Sequence, residues 1–314
     1  MDPVVNLLLK RRRGSVLNRA VARWRAGNYS SALDALVDES GNGLHARLGS
    51  SVGADTNDPQ RLSFDGQKAV YFPGTAGNYP SSAKIVPTGS WRIETKLAAA
   101  DWTPGTSQTL GGVWNAESGN HRCWRLDLNT AGTLLLVLSG NGSTFQSCTS
   151  SAVLPFSNGA IGYIRVDIDL VAGTVDFQTS SDGVTWNTLG SQQTFTPGAL
   201  FDPTQSFMIG TYNSGATTLF VGSVYYFRVY QSGTLARGFN PANAAEPYAT
   251  VADEVSGTWT LNRSTSGRKL AVVDRDLLLL GTDDYLEVAD HPLLNFGAGD
   301  SFTVAVFIRQ FPTA

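Results

Sequence analysis

Apolar and polar residues alternate along most of this chain in short runs. Residues 161–170 read I-G-Y-I-R-V-D-I-D-L, which puts Ile164, Val166, Ile168 and Leu170 on one side and Tyr163, Arg165, Asp167 and Asp169 on the other. That is the period of a strand with one buried face. Comparable runs fall at 62–64, 69–72, 91–97, 110–114, 123–128, 134–138, 173–180, 207–211 and 221–230, separated by connectors such as "NTAGT", "VAGT" and "SSDGVTW" that supply hairpin residues. Roughly ten strands with no helical interval predict an all-β, antiparallel jelly-roll sandwich.

The first segment has a different pattern. Val4, Val5, Leu7, Leu8 and Leu9 precede a basic cluster, and Val16, Leu17, Ala20, Val21 and Trp24 then recur at three- and four-residue steps. The spacing predicts a short helical, amphipathic anchor over 1–37, broken near Gly14-Ser15. Too small for a core of its own, this segment is expected to dock on something. Leu7, Leu8, Leu9, Lys10, Arg11, Arg12, Arg13, Arg19, Arg23, Trp24 and Arg25 form the expected interface, since arginine and apolar residues suit protein contacts. With only Trp24 interleaved among the charges, a protein surface is preferred over nucleic acid as its partner.

Beyond residue 238 the chain starts over. "VDESGNGLHARLGS" at 37–50 is echoed by "ADEVSGTWTLNRSTSG" at 252–267, "LSFDGQKAVYFPG" at 62–74 by "LLLGTDDYLEVAD" at 278–290, and "SWRIETKL" at 90–97 by "SFTVAVFI" at 301–308. The reading is a complete jelly roll over 38–232, a linker over 233–252 and an incomplete second repeat over 253–314. The strand beginning at Ser301 then lacks a neighbour in this sequence. That predicts either more chain beyond Ala314 or a partner supplying strands by β-addition.

Composition and charge narrow the function classes. Gly is abundant at 33 of 314 residues and charged residues are only 16%, as expected where turns carry the polarity. The net charge of −3 divides into about +6 over residues 1–30 and about −9 over the rest, which sets the first segment apart. No run is long enough to span a membrane, and the apolar stretch before the basic cluster has the reverse order of a secretory leader. Cys123 and Cys148 read as buried thiols, with pairing left open.

Catalysis finds no support. Asp167, Asp169 and Asp176 have the spacing of a carboxylate pair, but their alternation with Val166, Ile168 and Leu170 reads as a solvated sheet face. His45, His121 and His291 have no second ligand at metal spacing. Calcium at Asp55, Asn57 and Asp58, or at Asp182, competes with ordinary turn roles for the same residues. No cofactor is expected. Trp102, Trp114, Asn115, Asn120 and Tyr212 lie at or near loops and are the candidates for glycan contact, as rings on which a sugar face stacks beside amides.

"LSFDGQKAVYFPG", "GSWRIETKL", "IRVDIDLVAGTVDFQTSSDGVTW", "GSVYYFRVY" and "DDYLEVADHPLLNFGAGDSFTVAVFIR" together resemble the laminin-G-like (concanavalin-A-like) jelly-roll family. The flank "ARWRAGNYSSALDALVDESGNGLHARLGSSVGADTNDPQ" resembles the region before such jelly rolls in minor tail proteins of actinobacterial tailed phages. This resemblance implies a structural, non-enzymatic component of a virion tail or tail tip, assembled in the host cytoplasm. It further implies other tail proteins as partners, an oligomeric setting, and jelly rolls displayed toward host-surface glycan. The alternatives from other classes are a carbohydrate-binding module of a bacterial surface protein and a glycoside hydrolase.

Overall fold

The computed structural model describes residues 8–12, 22, 24, 29–30, 33, 35–48, 60–63, 65–117, 119, 121–245, 248–265, 269–273, 277–279, 286–288 and 301–305. In chain order the strands are β1 (Leu8–Arg12), β2 (Tyr29–Ser30), β3 (Ala35–Leu36), β4 (Ala46–Leu48) and β5 (Gln60–Leu62). There follow β6 (Ala69–Pro73), β7 (Tyr79–Ser82), β8 (Ser90–Ala99), β9 (Gln108–Asn115), β10 (His121–Leu128), β11 (Leu134–Leu138), β12 (Gln146–Thr149), β13 (Ile161–Asp169) and β14 (Thr174–Ser180). After β15 (Asn187–Thr188), β16 (Gln193–Thr194) and β17 (Phe207–Ile209) come β18 (Val221–Gln231), β19 (Thr234–Phe239), β20 (Thr250–Ala252), β21 (Thr258–Asn262) and β22 (Ala271–Val273). The last are β23 (Leu277–Leu279), β24 (Leu286–Val288) and β25 (Ser301–Ala305).

The chain divides into two units, one drawn from both chain ends and the other spanning Asp65–Asp274. The larger unit is an antiparallel jelly-roll sandwich. Its first sheet runs β12-β11-β10-β9-β17-β7-β21-β20 and its second β15-β14-β13-β8-β18-β6-β22, with β16 on β14 and β19 on β18. The chain crosses between sheets repeatedly, so inward-facing residues of both sheets meet in one core. Aromatic rings meet edge-to-face in this core: Trp91 with Trp124 at 5.2 Å and Phe207 with Phe227 at 5.6 Å link the two layers, while Trp124 with Phe207 at 5.1 Å and Phe207 with Trp259 at 4.9 Å tie strands of the eight-stranded sheet. Each such contact adds about 0.5–1.5 kcal/mol beyond the area it buries.

Trp259 corrects the domain boundaries read from the sequence. It is fully buried in this sandwich, although the repeat placed it in a second one. The segment 233–252 is not a free linker either, because β19 pairs with β18 (Phe227↔Phe239) and β20 pairs with β21. In turn β21 pairs with β7 (Thr260↔Ser81) and β22 with β6 (Val272↔Val70). The segment 38–62, read as the start of this jelly roll, therefore lies in the other unit, and β20, β21 and β22 from its sequence echo stand at the edges of the two sheets. Two segments with one pattern fit the same edge, and local periodicity cannot choose between them.

In the other unit β4 pairs with β24 (Arg47↔Glu287) and β5 with β23 (Arg61↔Leu278), so there too a segment of one copy of the pattern pairs with a segment of the other. The two copies share a turn device. Asp38 accepts from the amides of Ser40 at 2.8 Å and Leu44 at 3.1 Å, and Asp253 from those of Val255 at 2.8 Å and Ser256 at 3.3 Å. The strand at Ser301 does have a neighbour in the chain, because β25 pairs antiparallel with β1 from Leu8↔Ala305 to Arg12↔Ser301. The helical anchor is corrected over the same residues: Leu8–Arg12 is a strand, and so are Tyr29–Ser30 and Ala35–Leu36. Pairing with a distant strand overrides the weak helical preference of a short apolar run.

Candidate functional site at the outer face of the eight-stranded sheet

The connection that follows Asn115 and the hairpin 139–145 meet at one end of β9 and β10, and the loop 210–220 runs along β9 from Thr109 to reach them at Ala116. Each is shaped by its sequence. Asn141 holds its hairpin through an Oδ1 that accepts from the amides of Ser143 and Thr144, both at 2.9 Å. In the third loop Asn213, Ser214 and Gly215 have φ of 51°, 56° and 90° in succession, and Thr218 has φ of 48°. A Cβ on Gly215 would stand 2.3 Å from the Tyr79 ring, so this turn accepts no side chain there. The buried Asn213 ties the loop down, accepting from the Ala116 amide at 2.7 Å. Strained backbone of this kind concentrates at functional sites.

Beneath these loops lies a cluster of arginines and rings. Along β10 the polar residues Arg122, Arg125 and Asp127 point away from a core that holds Trp124, Leu126 and Leu128. Trp114 of β9 shares their face. The Arg125 guanidinium lies between two rings, 4.9 Å from the Trp114 centroid and 4.5 Å from that of Tyr212. Arg122 lies 5.9 Å from both Trp114 and Phe145. Phe145 meets Trp114 edge-on at 5.9 Å and is 58% exposed. Cation–ring contacts of this kind contribute about 0.5–2 kcal/mol each, more where water is excluded.

Asp127 anchors the cluster from below. It is 1% exposed, accepts from Arg125 Nε at 2.9 Å and from Thr109 Oγ1 at 2.8 Å, and Thr109 meets Thr218 of the third loop at 2.7 Å. Burial raises the Asp127 carboxyl above its ordinary range, against the opposing pull of Arg125 and Thr109. Two buried donors here have no hydrogen-bond partner among the described residues: Trp114 Nε1 and Arg122 Nε. Each leaves roughly 1–3 kcal/mol of desolvation uncompensated.

No protein-family model matches the chain, and no curated protein matches it. Among solved structures it is similar to the heptameric SAP-like pentraxin of Limulus polyphemus, at 11% identity over 69% of this chain and 97% of that one (TM-score 0.42). It is also similar to a Bacteroides ovatus protein with a proposed carbohydrate-binding role, at 14% identity over 69% of this chain and 62% of that one (TM-score 0.47). A third is the CBM40 of the Ruminococcus gnavus IT-sialidase bound to sialyllactose, at 13% identity over 54% and 90% (TM-score 0.36). The sandwich itself is established by the strand pairing described above.

The glycan candidates read from the sequence separate clearly. Trp114, Asn115 and Tyr212 come together at this site, with Asn115 donating to Gln205 at 3.4 Å and accepting from the Glu117 amide at 2.9 Å. Trp114 is 1% exposed, so it acts as a floor under the arginines and offers no open stacking face. Trp102 is a core residue, with its indole nitrogen on the Ala160 carbonyl at 3.3 Å and its ring against Phe156. Asn120 lies outside the described residues. Arg122, Arg125 and Phe145 were missed. The available signal was R-C-W-R-L-D opposite Trp114, where cations interrupt an apolar strand beside an aromatic neighbour.

Of the expected anchor residues, Leu7, Arg13, Arg19, Arg23 and Arg25 lie outside the described residues, and Leu8, Leu9, Lys10, Arg11 and Arg12 form β1. Trp24 is not an interface residue. It is 3% exposed and donates to the Leu44 carbonyl at 2.5 Å, which makes it part of its own unit's core.

The nine-stranded sheet presents a different outer face. By register, Asp176, Asp167, Arg92 and Tyr230 form one row across four strands, Gln178, Arg165, Glu94 and Arg228 a second, and Ser180, Tyr163, Lys96 and Tyr226 a third. The acids are engaged: Asp167 with Arg92 at 2.6 Å, Glu94 with Arg165 at 3.0 Å, Glu254 with Arg228 at 2.6 Å, and Asp65 with the buried Lys96. Arg165 also lies 3.9 Å from the Trp186 centroid. Asp169 and Asp182 accept from amides of their own turns, Val171 and Ala172 in one and Val184 and Thr185 in the other, all at 2.8 Å. No group of three metal-ligand side chains occurs among the described residues, and Asp55, Asn57 and Asp58 lie outside them. Cys123 and Cys148 are unpaired and buried, on strands separated by β11.

Proposed function

We propose that this chain is a non-enzymatic, glycan-contacting structural component of a tailed-phage virion, in the minor tail or tail tip. The observation that carries the contact role is the Arg125 guanidinium held between Trp114 and Tyr212, beside the exposed Phe145, where these loops meet. A cation fixed on aromatic rings offers directed donors, and the flanking Phe145 and Tyr212 offer ring surface, which together suit a sugar with its apolar face and its ring of hydroxyls. The engagement of Asp167 and Glu94 in ion pairs supports a binding role over hydrolysis, which needs two acids facing one scissile bond.

The tail setting rests on the sequence resemblance of the segment preceding the sandwich. In this reading the basic run Lys10–Arg13 contributes to anchoring on other tail proteins, and the sandwich faces the host. No helix among the described residues is long and apolar enough to cross a membrane. The same patch would serve a carbohydrate-binding module of a bacterial surface protein, so setting and contact are tested separately. Mass spectrometry of purified virions should find this chain at a fixed ratio to other tail proteins, and its absence from particles contradicts the tail setting. The labelled full chain should bind a glycan array and lose that binding in Arg125→Gln; no glycan bound contradicts the contact role.

A further inference from the structure

We infer that the glycan recognised at this site bears an anionic oxygen group, a carboxylate or a sulfate or phosphate ester, received between Arg122 and the Trp114 indole. This rests on the glycan reading above and specifies its chemistry.

Charge comes first. Two guanidinium groups lie within 6 Å of the one Trp114 ring, at 4.9 and 5.9 Å from its centroid. Arg125 is already neutralised by Asp127, whose carboxylate it meets at 2.9 Å. Arg122 has no ion-pair partner among the described residues, and its Nη1 donates to the Ser143 carbonyl, a neutral acceptor. The cluster therefore carries one uncompensated positive charge at low exposure, where screening by water is weak.

Unmet hydrogen bonding comes second. Arg122 Nε and Trp114 Nε1 are both buried, both donors, and neither has an acceptor among the described residues. Neutral hydroxyls also accept, but an oxyanion accepts from a guanidinium and an indole together and forms the stronger, charge-assisted bond. Phe145 lies 5.9 Å from both the Trp114 ring and the Arg122 guanidinium and is 58% exposed, so rotation of this one surface side chain is the movement by which a ligand would reach the donors.

The test uses the full chain and matched probes in calorimetric titration: lactose against sialyllactose and against sulfated lactose, and an oligogalacturonate against its methyl ester. The expected result is tighter binding of an acidic member than of its neutral match by about tenfold or more, weakening with added salt. Arg122→Gln should remove that preference and Arg122→Lys should retain part of it, with thermal unfolding confirming that both variants fold. The carboxylate pairs and the sulfate pair distinguish the two sources of charge. Equal binding of acidic and neutral probes, unchanged in Arg122→Gln, overturns the inference while leaving glycan contact intact. Binding of no probe overturns this inference, and binding of nothing on the wider array overturns the reading beneath it.

Discussion

Gly112 and Arg125 stand opposite each other on β9 and β10, and the missing side chain at Gly112 is what lets Arg125 lie between Trp114 and Tyr212. A Cβ at residue 112 would come within 2.6 Å of both the Arg125 Cβ and the Trp124 carbonyl oxygen. The second of these is backbone and cannot swing away. Gly112→Ala is therefore expected to cost about 1–3 kcal/mol of stability through overpacking and to weaken glycan binding severalfold. Chemical denaturation and titration of the variant check both effects; unchanged values would mean that Arg125 is not held by this contact.

Trp259 is the residue most at odds with the repeat boundaries, so it is the sharpest probe of the fold. It packs on Phe207 and Phe239, and its indole donates to Asp253 at 2.9 Å. Trp259→Ala should destabilise the sandwich by about 3–5 kcal/mol, the usual cost of removing a buried tryptophan. A loss below about 1 kcal/mol in urea unfolding would show that the segment 250–262 is peripheral.

The register of β21 on β7 can be trapped chemically. Ser81→Cys with Thr260→Cys places two thiols on register partners, within reach of a disulfide after oxidation. Gel mobility under non-reducing conditions should show the intrachain link. Cross-linking of Ser81→Cys with His45→Cys in its place would put the first copy of the echo on this edge.

Acid sensitivity should trace to opposed groups. Burial pushes the Glu254 carboxyl up, but hydrogen bonds from Arg228 and Asn240 and the charge of Arg228 outweigh it, leaving the carboxyl below its usual 4.5. Its stabilisation is present above that unfolded value and is lost as pH falls through the folded one. Asp127, raised by burial, behaves in the opposite way: its contribution is complete below 3.8 and is lost as pH rises through the folded value. Glu254→Gln should lower stability at neutral pH and flatten the decline below pH 4.5. An unchanged acid limb in denaturation at several pH values would remove Glu254 from this account.

Much of the sandwich was legible in the sequence. The runs at 134–138, 161–170 and 221–230 are strands at those positions, because one buried face imposes a period of two whatever the partners. Strand β7 was missed because Y-P-S-S contains a proline and little apolar signal, and β19 because "TLARGF" sits in a stretch that reads as linker. Partner choice was not legible, since His45 and Thr260 occupy like positions in two copies of one pattern. The site was half legible for a related reason. Trp114 and Tyr212 are conspicuous by type, whereas Arg122 and Arg125 matter only through the ring that faces them across two strands.

The claim that the outer face of the eight-stranded sheet is where glycan binds is tested most directly at Trp114. The protein has seven tryptophans, and the indole N–H signals of ¹⁵N-labelled chain can be assigned with Trp114→Phe and Trp186→Phe. Titration with a glycan selected on the array should shift the Trp114 indole signal while that of Trp186, which stacks on Arg165 at the nine-stranded sheet, stays in place. A shift at Trp186 with Trp114 unmoved would place binding on the opposite face and contradict the site described here.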